Sequence, residues 1–405
     1  MAEKRRTYRK PGFFSYLLLR IASFFVSAFV FRRTILRNEL RGVKGPCVVI
    51  ANHEAALDFV NFVGATRRRV TFVISNSFYS SLPLRGIMDR LHVIPKQQFQ
   101  TETSDLLKMK AVVEGGGILV IYPAGLMCED GLSTPIPQAT YKFLKWMKAD
   151  VYAARTTGTY FSMPKWAGGM RAGKTYLDIY KLFDRETLAS MPLEEVREKT
   201  DGALLFDAYR EQERYRVRYR RNDDIRGLEN VLYVCPHCGR EFTMSVTDRS
   251  TLRCTECGFA ETSDELGFLH KTGGEGEEIR YVSDWSRFVY GRMLERIRED
   301  PELTLSSETD IHMIDPEKHR FVPVGEGTVT LYRQGFRLLG KIREKAVELK
   351  IPIVSIPILP FSPGKRFELQ HGPEIYRCVL KDGRLAQKFI HMLKARYALQ
   401  NPSDA

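Results

Sequence analysis

The segment Val48–Asp58, VVIANHEAALD, puts His53 and Asp58 five positions apart directly after an apolar run. A second apolar run, Ile118–Gly125 (ILVIYPAG), ends in a Pro-Ala-Gly turn. An imidazole can take a proton from a hydroxyl near neutral pH. A carboxylate on its other nitrogen fixes the tautomer and stabilises the cation. A tight turn whose backbone N–H groups face a ligand can hold the oxyanion that forms when a thioester is attacked. The two devices together suit acyl transfer to a hydroxyl. Neither is specific alone: with eight histidines in the chain, one H-x4-D match arises by chance roughly half the time. None of the other seven histidines has Asp at the fifth position.

The elements that must position these groups follow from the pattern. Cys47–Ala51 is a short β-branched run suited to a buried strand. Asn52 is a good N-cap residue, and the following AALDFVNFVGAT reads as a helix, so His53 falls at a strand-to-helix junction. On a regular helix, residues five apart point about 140° away from each other, so His53 meets Asp58 only if it lies outside the regular turns. SDLLKMKAVVE reads as a helix, Gly115–Gly117 as its C-cap and turn, and ILVIY as a second buried strand. Pro123, Ala124 and Gly125 then force a tight turn.

These residues resemble the glycerolipid acyltransferase family that includes lysophosphatidate (1-acylglycerol-3-phosphate) acyltransferase. NHEAALD is similar to its N-H-x4-D block, and YPAGLMCEDG to its F-P-E-G-T-R-S block. RGIMDRLHVIPK (Arg85–Lys96) resembles the block between them, with Lys96 in the place of a usual Arg. ADVYAARTTG resembles the strand after the second block, and KTYLDIY reads as a further strand. The likeness spans about residues 12–190. It implies His53 as base and Asp58 as its orienter, with no covalent acyl-enzyme. It also implies Asn52, Arg90, Lys96, Tyr122, Pro123, Ala124 and Gly125 around the substrates, and acyl-CoA or acyl carrier protein as donor. Cys128 is expected to pack rather than attack.

There are departures. Ala124 stands where the family has Glu, and Leu126-Met127 where it has Thr-Arg. Losing that Arg removes a bidentate phosphate partner that apolar packing does not replace. Either Lys96, Arg90 or Arg85 compensates, or the acceptor is not a phosphomonoester. An inactive lipid-binding membrane scaffold is the alternative outside enzymes, although such a scaffold has no use for a His/Asp pair at a strand end.

Cys235, Cys238, Cys254 and Cys257 form two C-x2-C pairs, each followed by Gly. Four thiolates suit a tetrahedral, structural zinc with no open position, and the reducing compartment this implies argues against disulfides. His237, between ligands, reads as exposed. The ribbon's Arg240, Arg249 and Arg253 are offset by Glu241, Asp248 and Glu256, so no nucleic-acid partner is expected.

The net charge of +13 is uneven: residues 1–45 hold eleven Lys/Arg and two Glu, or +9 of it. These charges flank Phe13–Phe31, FFSYLLLRIASFFVSAFVF, with KRRTYRK on one side and Arg32, Arg33 and Arg37 on the other. A cleaved signal peptide lacks a small-x-small site here. A spanning helix would bury Arg20 in hydrocarbon. Gly12, Tyr16, Arg20, Ser23 and Ser27 form one narrow polar stripe, which favours a helix lying in the interface of a membrane, on its cytoplasmic face, with basic residues toward phospholipid headgroups.

At 405 residues the chain is long enough for more than one domain. The expected class is α/β: a membrane-associated helix (1–40), an acyltransferase sheet flanked by helices (41–190) and a charged helical connector (191–229). A zinc ribbon (230–262) and a β-rich domain closed by a helix (278–400) follow. The connector, including YREQERYRVRYRR, reads as one solvated helix, with Tyr209, Tyr215 and Tyr219 as a contact face. KTGGEGEE (271–278) reads as a linker. The strand-like runs TVTLYRQ, FRLLGK, VELKIPI, RFELQH and EIYRCVLK, closed by an amphipathic helix near Gly383–Gln400, resemble a pleckstrin-homology or GRAM-like barrel.

Overall fold

Cys47–Ala51 contains no charged or hydrogen-bonding side chain other than a thiol, and all five residues are buried. A strand apolar on both faces belongs inside a sheet covered on both sides. That strand is β2 of the computed structural model, which describes residues 8–80, 85–97, 102–356 and 358–401. Lys4, Arg5, Arg6 and Thr7 of the basic flank lie outside the described residues. The chain divides into two units: Met1–Met163 with Met170–Arg220, and Pro164–Gly169 with Arg221–Ala405.

The first unit runs α1 (Phe13–Phe25), β1 (Thr34–Asn38), β2 (Cys47–Ala51), α2 (Asp58–Val63), β3 (Thr71–Ser75), α3 (Asn76–Ser80), α4 (Arg85–Arg90) and β4 (Ile94–Lys96). It continues with α5 (Thr103–Glu114), β5 (Ile118–Ile121), α6 (Ala139–Met147), β6 (Asp150–Thr157), α7 (Thr159–Ser162) and β7 (Tyr176–Phe183). Then come α8 (Arg185–Ser190), α9 (Leu193–Leu204) and α10 (Ala208–Tyr215). The sheet order is β1-β7-β6-β2-β5-β3-β4. Strands β2 to β6 are mutually parallel, and β7 runs antiparallel to β6. The C-terminal ends of β2, β5, β3, β4 and β6 therefore share one sheet edge, where α/β proteins place their sites.

Alternate residues of β2 feed two cores. Val48 and Ile50 pack with Val112 of α5, Leu144 of α6 and Val196 of α9. Val49 and Ala51 pack with Tyr16 of α1 and Phe62 of α2. Each such Val, Leu or Ile contributes about 1.5–3 kcal/mol by leaving water.

Three local expectations are corrected in the first unit. The helix predicted to start after Asn52 begins only at Asp58. Asp58 accepts the Ala55 N–H, which ties residues 53–57 into a non-helical turn, and the Asn52 side chain is engaged across the sheet. The segment 191–220 is not a solvated connector but part of the first unit, whose limit is Arg220 rather than residue 190. It forms two helices, and Val196, Ala203 and Leu204 make an apolar stripe among the charges that enters the β2 core. Asp207 caps α10 by accepting the N–H groups of Tyr209 and Arg210. The three tyrosines do not form one exposed face: Tyr209 and Tyr219 are buried against Phe161, while Tyr215 stacks on Tyr176 at 4.0 Å.

The third correction concerns α1, which continues as a π-helical turn, Val26–Val30. Its polar stripe faces the protein: Tyr16, Ser23 and Ser27 are buried, and Ser27 Oγ donates to Val60 O at 3.4 Å. The apolar face points outward, with Phe14 79%, Leu18 66% and Phe29 68% exposed. Phe13–Val30 is long and apolar enough to cross a membrane by length and composition.

The second unit begins with the four-stranded sheet β8 (Met244–Val246), β9 (Thr251–Cys254), β10 (Ala260–Ser263) and β11 (Leu269–Gly273), ordered β11-β10-β9-β8. The KTGGEGEE segment is therefore no linker: it contributes β11, and Glu278 accepts the Lys271 N–H. α11 (Val282–Glu299) follows. Next come β12 (Leu305–Asp315), β13 (Arg320–Tyr332), β14 (Gly335–Ile342), β15 (Lys345–Pro352), β16 (Phe361–Ser362), β17 (Arg366–His371), β18 (Glu374–Leu380) and α12 (Leu385–Gln400). These seven strands are antiparallel, in the order β15-β14-β13-β12-β18-β17-β16, around one core that includes Phe336, Phe367 and Phe389 of α12. The ribbon docks on α11 and α12: Trp285 Nε1 donates to Val234 O at 2.9 Å, and Glu241 pairs with Arg296 and Lys388.

Candidate active site

β2 ends at Ala51, and the next two side chains diverge. Asn52 is buried and exchanges two hydrogen bonds with the Thr156 backbone of β6, both 2.7 Å. Sequence reasoning placed it among substrate contacts; the structure instead occupies its amide in holding the two strand ends together. His53 turns out of the sheet edge. Its Nδ1 lies 3.0 Å from Asp58 Oδ2, at the first position of α2. Oδ2 also accepts the Ala55 N–H at 2.9 Å. Asp58 is buried while the His53 side chain keeps 21% of its exposure. A buried carboxylate on Nδ1 selects the Nδ1–H tautomer and leaves Nε2 as the basic nitrogen.

Two residues that sequence reasoning missed lie behind this pair. Glu54 is only 1% exposed, and its Oε2 accepts the Tyr160 N–H at 3.0 Å. Thr159 Oγ1 is 3.1 Å from Glu54 Oε2 and 2.5 Å from Asp58 Oδ1. Thr159 is delivered by Gly158, whose φ of 93° and closeness to Tyr219 exclude a side chain there. Burial first, and the Asp58 charge second, push the Glu54 carboxyl up to about 8. A Glu beside a His gives no pattern signal of burial, and Thr159 lies 101 residues from Asp58.

The second motif meets the first through Tyr122, whose ring centroid is 4.6 Å from that of His53. In the Pro123–Gly125 turn the Gly125 N–H donates back to Tyr122 O at 3.0 Å. This N–H, expected to face a ligand, is thus part of the turn's own closure. Cys128 is buried, its thiol is pushed well up by burial, and it sits 3.5 Å from Glu54 O, in keeping with packing.

A small, partly open cleft lies beside His53. Its walls include Ala51, Ala124 and Ile136, the hydroxyl residues Ser133 and Thr134, Leu204 at the end of α9, and Leu205 and Phe206 just after it. Among the described residues lining it there is no Lys or Arg. Arg90 is exposed at the end of α4, and Arg85 lies over the Tyr79 ring. Lys96 is half-buried at the end of β4, where burial lowers its pKa and Nζ donates to Gln97 O. β4 lies three strand spacings from β2, about 14 Å, so Lys96 shares the sheet edge but not the cleft.

In the second unit the Sγ atoms of Cys235, Cys238, Cys254 and Cys257 all lie within 4.8 Å of one another. Cys235–Cys257 and Cys238–Cys254 are 3.6 and 3.8 Å apart. A tetrahedral ion with metal–sulfur bonds of about 2.3 Å requires sulfurs about 3.8 Å apart. Gly239 and Gly258, at φ 71° and 76°, let each turn fold its N–H groups back toward the first Cys of its pair. The donor set therefore fits zinc. His237 is exposed and 4.0 Å from Glu275.

Residues 32–162 match the family model described as Acyltransferase. Among solved structures the chain is similar to the crystal structure of the 1-acyl-sn-glycerophosphate (LPA) acyltransferase PlsC from Thermotoga maritima. The identity is 15% and the TM-score 0.39, over 47% of this chain and 75% of that one. No curated protein sequence matches the chain.

Proposed function

We propose that the first unit transfers a fatty acyl group from a thioester donor, acyl-CoA or acyl carrier protein, to a hydroxyl of a lysophospholipid. The observation that carries this reading is the 3.0 Å contact between His53 Nδ1 and Asp58 Oδ2 at the C-terminal edge of the sheet. His53 Nε2 takes the proton of the acceptor hydroxyl as its oxygen attacks the thioester carbonyl. Asp58 stabilises the resulting imidazolium, which returns the proton to the departing thiolate. Tyr122 packs against the imidazole and limits its swing. The apolar walls beside His53 suit an acyl chain.

The absence of Lys or Arg among the described residues of the cleft favours a second acceptor class, a lipid whose hydroxyl is not next to a phosphomonoester. We also read α1 as an anchor lying in the cytoplasmic face of a membrane, the four cysteines as a structural zinc site, and the β-rich domain as a lipid- or protein-binding module.

The test is acyl transfer by detergent-purified protein, with acyl-CoA and acyl carrier protein as donors. Lysophosphatidate is assayed beside neutral and zwitterionic acceptors, with His53→Ala and Asp58→Asn as controls. Turnover should vanish in His53→Ala and fall by about a thousandfold or more in Asp58→Asn. Wild-type turnover in His53→Ala overturns the mechanism, and no turnover on any acceptor favours a scaffold.

A further inference from the structure

Thr159 has one hydroxyl proton and two carboxyl neighbours. Its 2.5 Å contact with Asp58 Oδ1 is the shorter, so the proton lies there. The remaining 3.1 Å contact, Thr159 Oγ1 to Glu54 Oε2, sets lone pair against lone pair unless Glu54 itself carries a proton. We propose that Glu54 is a positioning residue of the proposed acyltransfer site: a neutral carboxylic acid that donates to Thr159, which donates to Asp58, which holds His53. This rests on the acyltransferase reading for its purpose but not for its geometry.

The chain Glu54–Thr159–Asp58–His53 divides the Asp58 carboxylate into two assigned oxygens. Oδ1 takes the Thr159 hydroxyl, and Oδ2 is left for His53 Nδ1 and the Ala55 N–H. All of its members except His53 are buried, so water does not compete for them. The titratable and charged groups facing Glu54 are few. Asp58 on α2 opposes its ionisation, Arg155 on β6 favours it, and Cys128 after β5 sits at its carbonyl. Arg155 is itself held by Glu211 of α10 at 2.8 Å, and Tyr219 feels the Glu54 charge in turn. Once Glu54 loses its proton, two anions compete for one hydroxyl. Asp58 then loses part of its anchorage, and His53 part of its orientation.

The experiment reads His53 without substrate. Full-length protein in detergent is labelled with nitrogen-15 histidine, and His53→Ala assigns the ring signals. The expected result is an alkaline inflection in the His53 ring shifts of the wild type, separate from the ring's own titration. Glu54→Gln, which keeps size and neutrality but has no proton to release, should lack that inflection. Thr159→Val should shrink the inflection, and Thr159→Ser should restore it, which keeps the test open should Glu54→Gln fold poorly. No alkaline inflection in the wild type, or its persistence in Glu54→Gln, overturns the proposal. Because the ring signal needs no turnover, failure of the acyltransfer reading is seen separately, in the acceptor panel.

Discussion

Asn52 and Thr156 exchange hydrogen bonds in both directions, Asn52 Nδ2 to Thr156 O and Thr156 N to Asn52 Oδ1. A side-chain amide thereby adds one more rung to the β2–β6 ladder, just where β2 stops. The peptide that carries His53 is consequently set by strand geometry rather than by a loop. Asn52→Ala should leave a buried N–H and a buried carbonyl without partners and cost about 1–3 kcal/mol of stability. Thermal unfolding reads the loss, and kcat should fall more than KM rises.

The outward apolar face of α1 predicts a separation between folding and membrane binding. Leu18→Glu with Phe24→Glu changes exposed positions, so the unfolding temperature should stay within a few degrees, while flotation with anionic liposomes is lost. Ser23→Leu should do the reverse. Ser23 is buried, and forcing extra methylenes into that contact costs about 1–3 kcal/mol while leaving the outer face intact.

Metal analysis of the purified chain should find about one zinc per molecule, held by the four cysteines. A strong chelator, or Cys254→Ser, should release it and loosen the ribbon. Trp285 reports this directly: its indole meets Phe259 at 5.8 Å and donates to Val234 beside Cys235, so its fluorescence should shift on metal loss.

Stability should fall with rising pH because of Glu54. Below its ordinary 4.5 both folded and unfolded chains hold the proton, and its contribution is fully present. Between 4.5 and about 8 the unfolded chain releases the proton and the folded one keeps it. The contribution is thus lost as pH rises through that window, at up to about 1.4 kcal/mol per pH unit. Glu54→Gln should flatten this slope in denaturant titrations run across the window.

Much of the site's frame is visible in the order of residue types. β2 and β5 are written as apolar runs, and the five-residue spacing of His53 and Asp58 follows β2 directly after Asn52. The cysteine pairs are legible from spacing alone. What is not legible depends on who sits opposite. Asn52 has the chemistry of a cap, and only the arrival of β6 beside β2 makes it a strand staple. Glu54 carries a surface residue's identity but is covered by α7. Val196, Ala203 and Leu204 hide among charges, and β12 hides because Ser307 and Thr309 alternate into the interior with Ile311. The stripe on α1 was visible, yet its direction was not: amphipathicity says that two faces differ, not which one meets the protein.

That direction has a mechanical result. Just past the π-helical turn, Arg33 reaches the carbonyls of Asn61 and Gly64, and Ser27 reaches Val60, so the outward-facing helix is bolted to α2. α2 begins with Asp58. On the proposed reading, anchor and orienting carboxylate therefore move as one body, and the level at which α1 would float in a bilayer becomes the level at which an acceptor hydroxyl must surface to meet His53.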